Sequence, residues 1–456
     1  MLVPTPDGAG PGRNCKKTQD LFSNRHLPSP CFDKYDCRHA AGCPWRRAHQ
    51  SCQSTGDSMK SNSRPVIVAG AGPVGMSAAA DLVRQGIPVL VLEKNATLSL
   101  ESRASTFHPS TLDMLDDLGF AKTLISEGLI APKVQYGSMI DGELGTFDFA
   151  DISDLTRHPY RLQAEQFKLT RIILDALKDH PLFEIRFDSE VTAIRQDDDG
   201  VEIDLGGAAN ETLRCDWLIG ADGANSIVRR AQDIEFTGFT WPERFLVVTT
   251  PFDVYSVHPD VTSVSYWADP DRWHFFLKII GAWRIMTPVA ADVSDELATS
   301  DAFARNSVAR ALPGVENVPI EHVTLYRVHQ RVAGNFRKGR TFLAGDAAHI
   351  NNPLGGMGMN GGIHDALNLT ALLGPVIQGA QPSGTLDAYD RQRRAVTMDA
   401  IQVGTIKNKR NLEAKTEEDR EAFKKEIREA MTDKEKGRAL LRRISMIESL
   451  DRAASL

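Results

Sequence analysis

Three glycine-bearing segments, far apart in the 456-residue chain, constrain its fold more than any other feature: GAGPVG at 70–75, ADGANSIVR at 221–229 and GDAAHINNPLGGMGMNGG at 345–362. The first has the fullest context. Pro65 to Ala69 is a β-branched run ending in glycine, and a helical pattern follows through Met76, Ala79, Leu82 and Val83, stopping at Gly86. Ile87 to Leu92 is again a buried-strand run, so the segment reads as strand, tight turn, helix, strand. In such a unit Gly70 permits the turn, Gly72 lets backbone N–H groups approach a pyrophosphate, and Gly75 allows close helix packing. The N-terminus of the helix, at Pro73 and Val74, then faces the phosphates.

Glu93 ends the second strand run eighteen residues after Gly75, where a carboxylate accepts hydrogen bonds from a ribose diol and repels a phosphate. The adenosine half of the ligand is therefore expected to carry a free 2′-hydroxyl, as in FAD or NAD. The other two segments extend the site. Leu213 to Ile219 reads as a strand delivering Ala221, Asp222 and Gly223, with a helix starting at Ser226 to Arg230. Thr341 to Ala344 is a buried-strand run delivering Gly345 and Asp346, and six glycines or prolines follow between Pro353 and Gly362. Glycine weakens regular elements by about 0.5–1 kcal/mol each, a cost tolerated where backbone must lie against a flat ligand. Asp346 is placed to bond a polyol chain. Backbone N–H groups near Met359 and Asn360, at a helix start, would stabilise negative charge on a reduced flavin ring.

In this order the three segments resemble the class A flavoprotein monooxygenases, the para-hydroxybenzoate hydroxylase group, with similarity from about Pro65 to about Val396. Ser102-Arg103-Ala104 and the helix FHPSTLDMLDDLGF are similar to the group's phenol and hydroxyphenylpropionate hydroxylases. The resemblance implies an α/β fold: a Rossmann-like FAD-binding domain with an inserted β-rich substrate domain and a helical C-terminus. It implies that Glu93 binds the FAD ribose, that Arg103 and Gln163 contact the cofactor, that Asp222 and Gly223 serve FAD and NAD(P)H, and that Asp346 holds the ribityl or pyrophosphate portion. The full cofactor set is Gly70, Gly72, Pro73, Val74, Gly75, Glu93, Lys94, Arg103, Gln163, Asp222, Gly223, Gly345, Asp346, Pro353, Gly356, Gly358, Met359 and Asn360.

The implied activity is that of an FAD-dependent, NADH- or NADPH-consuming monooxygenase that hydroxylates a phenolic or other activated ring through a flavin C4a-hydroperoxide. No catalytic residue and no metal is assigned. Substrate contacts are expected from Asn352 and Pro353 on the loop facing the flavin and from Tyr266 and His274 on the inserted sheet, where Trp267, Phe276 and Arg284 also lie. His349 reads as packing beside the flavin loop. Rival readings are an epoxidase or hydroxylase acting on an isoprenoid or quinone precursor, and a flavin-binding protein without turnover. A flavin halogenase would want a WxWxIP segment, which the sequence lacks.

The remaining signals set organisation and partners. A net charge of -7 gives no reason to expect nucleic acid or an anionic membrane, and no apolar run of about 18 residues suggests a membrane span. The partners expected are a small aromatic molecule and O₂, with a homodimer left open and a cytoplasmic location. Five cysteines (Cys15, Cys31, Cys37, Cys43, Cys52) fall in the first sixty residues, irregularly spaced, and only Cys215 thereafter. Residues 1–60 are expected to be a disordered leader, with natural translation beginning at Met59. Parts of the FAD-binding domain are expected at 61–131, 161–235 and 329–395. The substrate sheet is expected at 132–160 and 236–328, and C-terminal helices at 396–456, with Glu413 to Leu450 a solvated helix pair.

Overall fold

The computed structural model describes residues 64–101, 104–206, 210–315 and 317–456. The leader, Met59 and Arg103 therefore lie outside the described residues. Val66–Ala69, buried throughout, is a central strand of a six-stranded sheet. Its order is Arg337–Lys338, Thr341–Leu343, Leu218–Gly220, Val66–Ala69, Val89–Leu92, Phe183–Arg186. All neighbours are parallel except the antiparallel pair at the Arg337–Lys338 edge. Continuous apolar runs such as VIVA and VLVL suit a parallel sheet covered on both faces. The helix Pro73–Arg84 crosses between the two central strands, starts with Pro73 in its first turn, and buries Gly75 to Val83 against Gln166–Leu177 and Met357–Ile377.

An eight-stranded sheet stands beside it, in the order His349–Ile350, His322–Ala333, Phe236–Thr250, Ala282–Val289, His274–Ile279, Val264–Ala268, Lys133–Ser138, Gly142–Asp148. The boundary expected at 328 falls inside the strand His322–Ala333. Strand periodicity sorts its side chains onto two faces. One carries Phe245, Tyr266, Phe275, Met286 and Val328; the other carries Leu246, Val248, Phe276, Trp283 and Ile285 and is covered by Asp301–Ala311. A small sheet of Thr106–Phe107, Arg161–Gln163 and Leu129–Ala131 joins the two larger ones, since Leu129–Ala131 runs through Pro132 into Lys133–Ser138.

Three local expectations change. The run Leu213 to Ile219 is two strands: Thr212–Cys215 pairs antiparallel with Gly200–Leu205, whereas Leu218–Gly220 lies parallel to Val66–Ala69. The chain switches sheets at Asp216 and Trp217, which hydropathy alone does not reveal. The helix start expected near Met359 and Asn360 falls at Met357, because Gly355 (φ +102°) and Gly356 (φ +68°) form the left-handed turn that launches it. The C-terminal charged stretch is three helices, Glu417–Thr432, Lys434–Ile444 and Ile447–Ala454, divided at extended Asp433 and at left-handed Met446. Their apolar stripe of Phe423, Ile427, Leu440, Leu441 and Ile444 packs on the Tyr266 face of the eight-stranded sheet. No helix among the described residues is long and apolar enough to cross a membrane.

Candidate cofactor and substrate site

The three glycine-bearing segments touch one another. A Cβ on Gly70, whose φ is +102°, would stand 2.4 Å from the Ala221 carbonyl oxygen, and one on Gly75 would stand 2.0 Å from that of Gly70. A backbone bond from Ala221 N to Ala69 O at 2.9 Å fixes the first and second segments at adjacent strand ends, and one from Gly70 N to Leu92 O at 2.8 Å ties the first segment to the strand Val89–Leu92. The third closes on the first through Val74, whose Cγ2 fills the space beside both Gly345 and Gly362.

What these segments leave open fits a dinucleotide. The helix Pro73–Arg84 has no side-chain cap at Gly72, so its first N–H groups are offered outward, and nothing lies within 4 Å of where a Cβ on Gly72 or Gly223 would stand. Glu93 reaches back to this loop: its Oε2 accepts from Ala71 N at 2.9 Å, while Oε1 accepts from Asn95 N and Nδ2 at 3.0 and 2.6 Å. Lys94 beside it is exposed. Asp222 Oδ2 accepts from Val228 N at 3.1 Å, but its Oδ1 is buried without a partner. Gln163 Oε1 accepts from Thr106 Oγ1 at 2.7 Å, and its Nε2 is a buried donor without a partner. Asp346 is exposed at the end of Thr341–Leu343. An acceptor, a donor and an uncapped helix N-terminus left in this arrangement suit the hydroxyl, amide and phosphate groups of FAD.

A buried ion cluster holds the third segment in shape. Asp365 Oδ2 accepts from Gly345 N at 3.1 Å and His349 Nε2 at 2.8 Å, and Oδ1 accepts from Arg393 Nε at 2.7 Å. Burial pushes the Asp365 pKa up, but the charges and bonds of Arg393 and His349 outweigh it and hold the carboxyl below its usual range. Asn360 is fully buried and ties the loop to the small sheet, its Oδ1 accepting from His108 N at 2.9 Å and its Nδ2 donating to Thr106 O and Gly356 O at 2.8 and 2.7 Å. The contact left to a ligand is therefore backbone: Gly356 caps the helix in the left-handed region without a side-chain cap, and Gly358 and Met359 follow in its first turn.

Of the four residues expected at the substrate, the structure separates them. Asn352 is fully buried; its Nδ2 donates to Thr405 O at 2.9 Å and its Oδ1 accepts from Leu354 N at 3.1 Å, so it anchors the loop and offers no side-chain contact. Pro353 is exposed, and its carbonyl already accepts a turn bond from Gly356 N at 3.0 Å, leaving one lone pair. Tyr266 and His274 cannot serve one pocket. Tyr266 stands directly opposite Phe275 and His274 opposite Trp267, so the two lie on opposite faces of the sheet. Tyr266 shares its face with Leu354 of the flavin-side loop; His274 is packed against Phe276, its pKa lowered by burial to about 4.

The expected set omitted a buried polar group on the Tyr266 face. Arg161 lies two residues before Gln163 on the same strand, hence on the same side, a relation that strand alternation carries in the sequence. Its Nη1 donates to Tyr266 Oη at 3.4 Å and its Nη2 to Ile444 O at 3.2 Å. Tyr136, stacked on Tyr266 at 5.6 Å, is pushed by burial to a pKa of about 12 and stays a neutral phenol. His108 Nε2 stands 2.9 and 3.2 Å from the carbonyl oxygens of Gly355 and Gly356, which only accept, so Nε2 carries the proton and Nδ1 a lone pair without a partner. Burial, then the Arg161 charge, holds the His108 pKa well below the usual imidazole range.

Residues 63–403 match the family model described as FAD binding domain. The chain is 35% identical over 344 residues to para-nitrophenol 4-monooxygenase of Pseudomonas sp. (strain WBC-3), covering 73% of this chain and 83% of that protein. It is 32% identical over 352 residues to 6-hydroxy-3-succinoylpyridine 3-monooxygenase of Pseudomonas putida, covering 76% and 88%. The crystal structure of p-nitrophenol 4-monooxygenase from Pseudomonas putida superimposes with a TM-score of 0.79 at 30% identity, over 84% of this chain and 98% of that one.

Proposed function

We propose, from the premise that this chain belongs to the FAD-binding class A flavoprotein aromatic monooxygenases, that it hydroxylates a phenolic or other activated aromatic ring with O₂ and NADH or NADPH. The observation that supports the reading is the mutual contact of the three glycine-bearing segments; the uncapped helix at Gly72, the unpartnered Asp222 Oδ1 and the exposed Asp346 would then serve one ligand. When bound, FAD supplies the hydride acceptance and the oxygen transfer.

The protein's residues supply placement. Gly72 N–H groups and the helix dipole favour the pyrophosphate, Glu93 accepts from the ribose, and Asp222 and Gln163 provide an acceptor and a donor that the fold leaves unused. First-turn N–H groups after Gly356 favour negative charge on the ring system. The ring substrate belongs on the Tyr266 face of the eight-stranded sheet, the face that meets Leu354 and is closed by the C-terminal helices. Those helices keep water from the reacting atoms.

The test is aerobic oxidation of NADH and of NADPH by purified protein against a panel of phenols and hydroxypyridines, with product mass. A gain of one oxygen atom matched to nicotinamide consumption supports the reading; flavin-loaded protein that no ring stimulates rejects it.

A further inference from the structure

The helix Asp387–Val396 supplies none of the expected cofactor contacts, yet two of its side chains hold the third glycine-bearing segment and the strand that leads into it. Tyr389 Oη donates to Leu343 O, at the end of the strand Thr341–Leu343, at 2.6 Å. One turn on, Arg393 Nε donates to Asp365 Oδ1 at 2.7 Å and its Nη2 to Gly361 O at 3.3 Å. Tyr389, Arg393 and Asp365 are all fully buried.

Asp365 is the node of this arrangement. Its Oδ2 accepts from Gly345 N at 3.1 Å and from His349 Nε2 at 2.8 Å, so one carboxylate receives three converging donors. An ionised carboxylate only accepts and has lone pairs for all three, whereas an asparagine would bring two protons of its own. Gly345, with φ +60°, immediately precedes Asp346, and Gly361 follows the first turn of the helix Met357–Ile377. Through Arg393, Asp365 therefore joins the two pieces of the segment expected to touch the ligand. These pieces meet backbone to backbone at Gly345 and Gly362, where no side chain sets their spacing. A buried ion pair is weak evidence for stability, because apolar residues often serve as well; directional, charge-assisted bonds supply fixed geometry instead.

We propose that Asp365 is a positioning residue for the flavin: braced by Arg393 and Tyr389, it sets the spacing between the Asp346 strand end and the first turn of the helix Met357–Ile377. The proposal rests on the flavin placement given above. Geometry and charge pull in opposite directions here, which makes the role measurable. Reduced flavin carries added negative charge, which the first-turn N–H groups favour when they are held in place. Removing the Asp365 charge would by itself favour reduced flavin, whereas letting those N–H groups shift disfavours it.

The test measures FAD affinity of the full chain by fluorescence titration, and the ratio of reduced to oxidised FAD affinity by equilibration with a redox dye. Circular dichroism and the thermal midpoint of the apo form report folding. Asp365→Asn should bind oxidised FAD about tenfold or more weakly, the scale of a lost charge-assisted bond, and its affinity ratio should tilt about threefold toward oxidised flavin. Should Asp365→Asn fail to fold, Tyr389→Phe carries the test: it removes one bond of the brace without changing charge, and a loss of about threefold in affinity with the same tilt is expected. Wild-type affinity in the folded variant overturns the proposal. So does weaker binding with an unchanged ratio, or with a tilt toward reduced flavin, since Asp365 would then act through stability or charge alone. A wild-type protein that binds no FAD would instead defeat the flavin placement itself.

Discussion

Gly362 of the long helix faces Val74 of the first helix so closely that a Cβ on the glycine would stand 2.6 Å from Val74 Cγ2. The same atom would stand 2.9 Å from Gly345 Cα, which is backbone and cannot turn aside. The first and third glycine segments are thus locked by the absence of a side chain. Gly362→Ala should destabilise the protein by about 1–3 kcal/mol, the usual cost of overpacking, and weaken FAD retention together with it. Because only one of the two obstacles is a side chain, Val74→Ala in the same chain should recover part of the loss and not all. Thermal midpoints and flavin content of the four proteins in this cycle measure both effects; full recovery in the double variant would show that the backbone contact is unimportant.

Asp346 makes the complementary prediction. It is exposed at a strand end, where a surface interaction is worth ~0–1 kcal/mol, so its removal should cost the fold little. If it holds the polyol portion of the cofactor, Asp346→Ala should purify with little or no yellow colour while its apo form unfolds at the wild-type midpoint. A variant with full FAD occupancy would remove the residue from the cofactor set.

The backbone geometry expected of the nucleotide half was readable in the sequence because its requirements are local. A turn with positive φ at Gly70, a close approach at Gly75 and an acid at the second strand end each leave a mark within thirty residues. The substrate half depends on which face of a sheet a residue occupies. Tyr266 and His274 look alike as polar aromatics in a β-rich block, and only the cross-strand register, Tyr266 with Phe275 and Trp267 with His274, sends them to opposite sides. Arg161 was missed for a related reason. A charged residue in a three-residue strand reads as an edge, and its burial comes from helices nearly three hundred residues later in the chain, at Ile444. The C-terminal stretch misled through composition: its charge density is real, but the stripe from Phe423 to Ile444 closes the sheet.

Asn352 separates loop anchoring from substrate contact. Truncation to Ala removes the bonds to Thr405 O and Leu354 N and strands buried partners, an expected loss of about 1–3 kcal/mol. Since its side chain is spent inside the protein, Asn352→Ala should change substrate KM no more than the accompanying loss of folded protein explains. Denaturant midpoints and steady-state kinetics on the same preparations distinguish the two. A large KM increase at unchanged stability would return Asn352 to the substrate.

Acid stability follows from two histidines that the fold keeps neutral. Burial lowers the pKa of His274 from 6.5 to about 4 and that of His364 from 6.5 to about 3, the nearby Arg393 charge adding to the second. With the folded pKa below the unfolded one, the unfolded chain binds more protons between those values, so stability is complete above about pH 6.5 and falls as the pH drops toward 4 and 3. Each group contributes a slope of up to ~1.4 kcal/mol per pH unit, so moving from pH 7 to pH 5 should cost about 2 kcal/mol per histidine. His274 is packed against Phe276 and Trp267, and a phenylalanine in its place keeps the apolar contacts while removing the titration. His274→Phe should therefore lose about 2 kcal/mol less than wild type over that interval, although it forfeits the Nδ1 bond to Arg272 O at both pH values. Urea midpoints at pH 7 and pH 5 measure the difference. Parallel loss in the two proteins would mean that His274 takes up its proton in the folded state as readily as in the unfolded one.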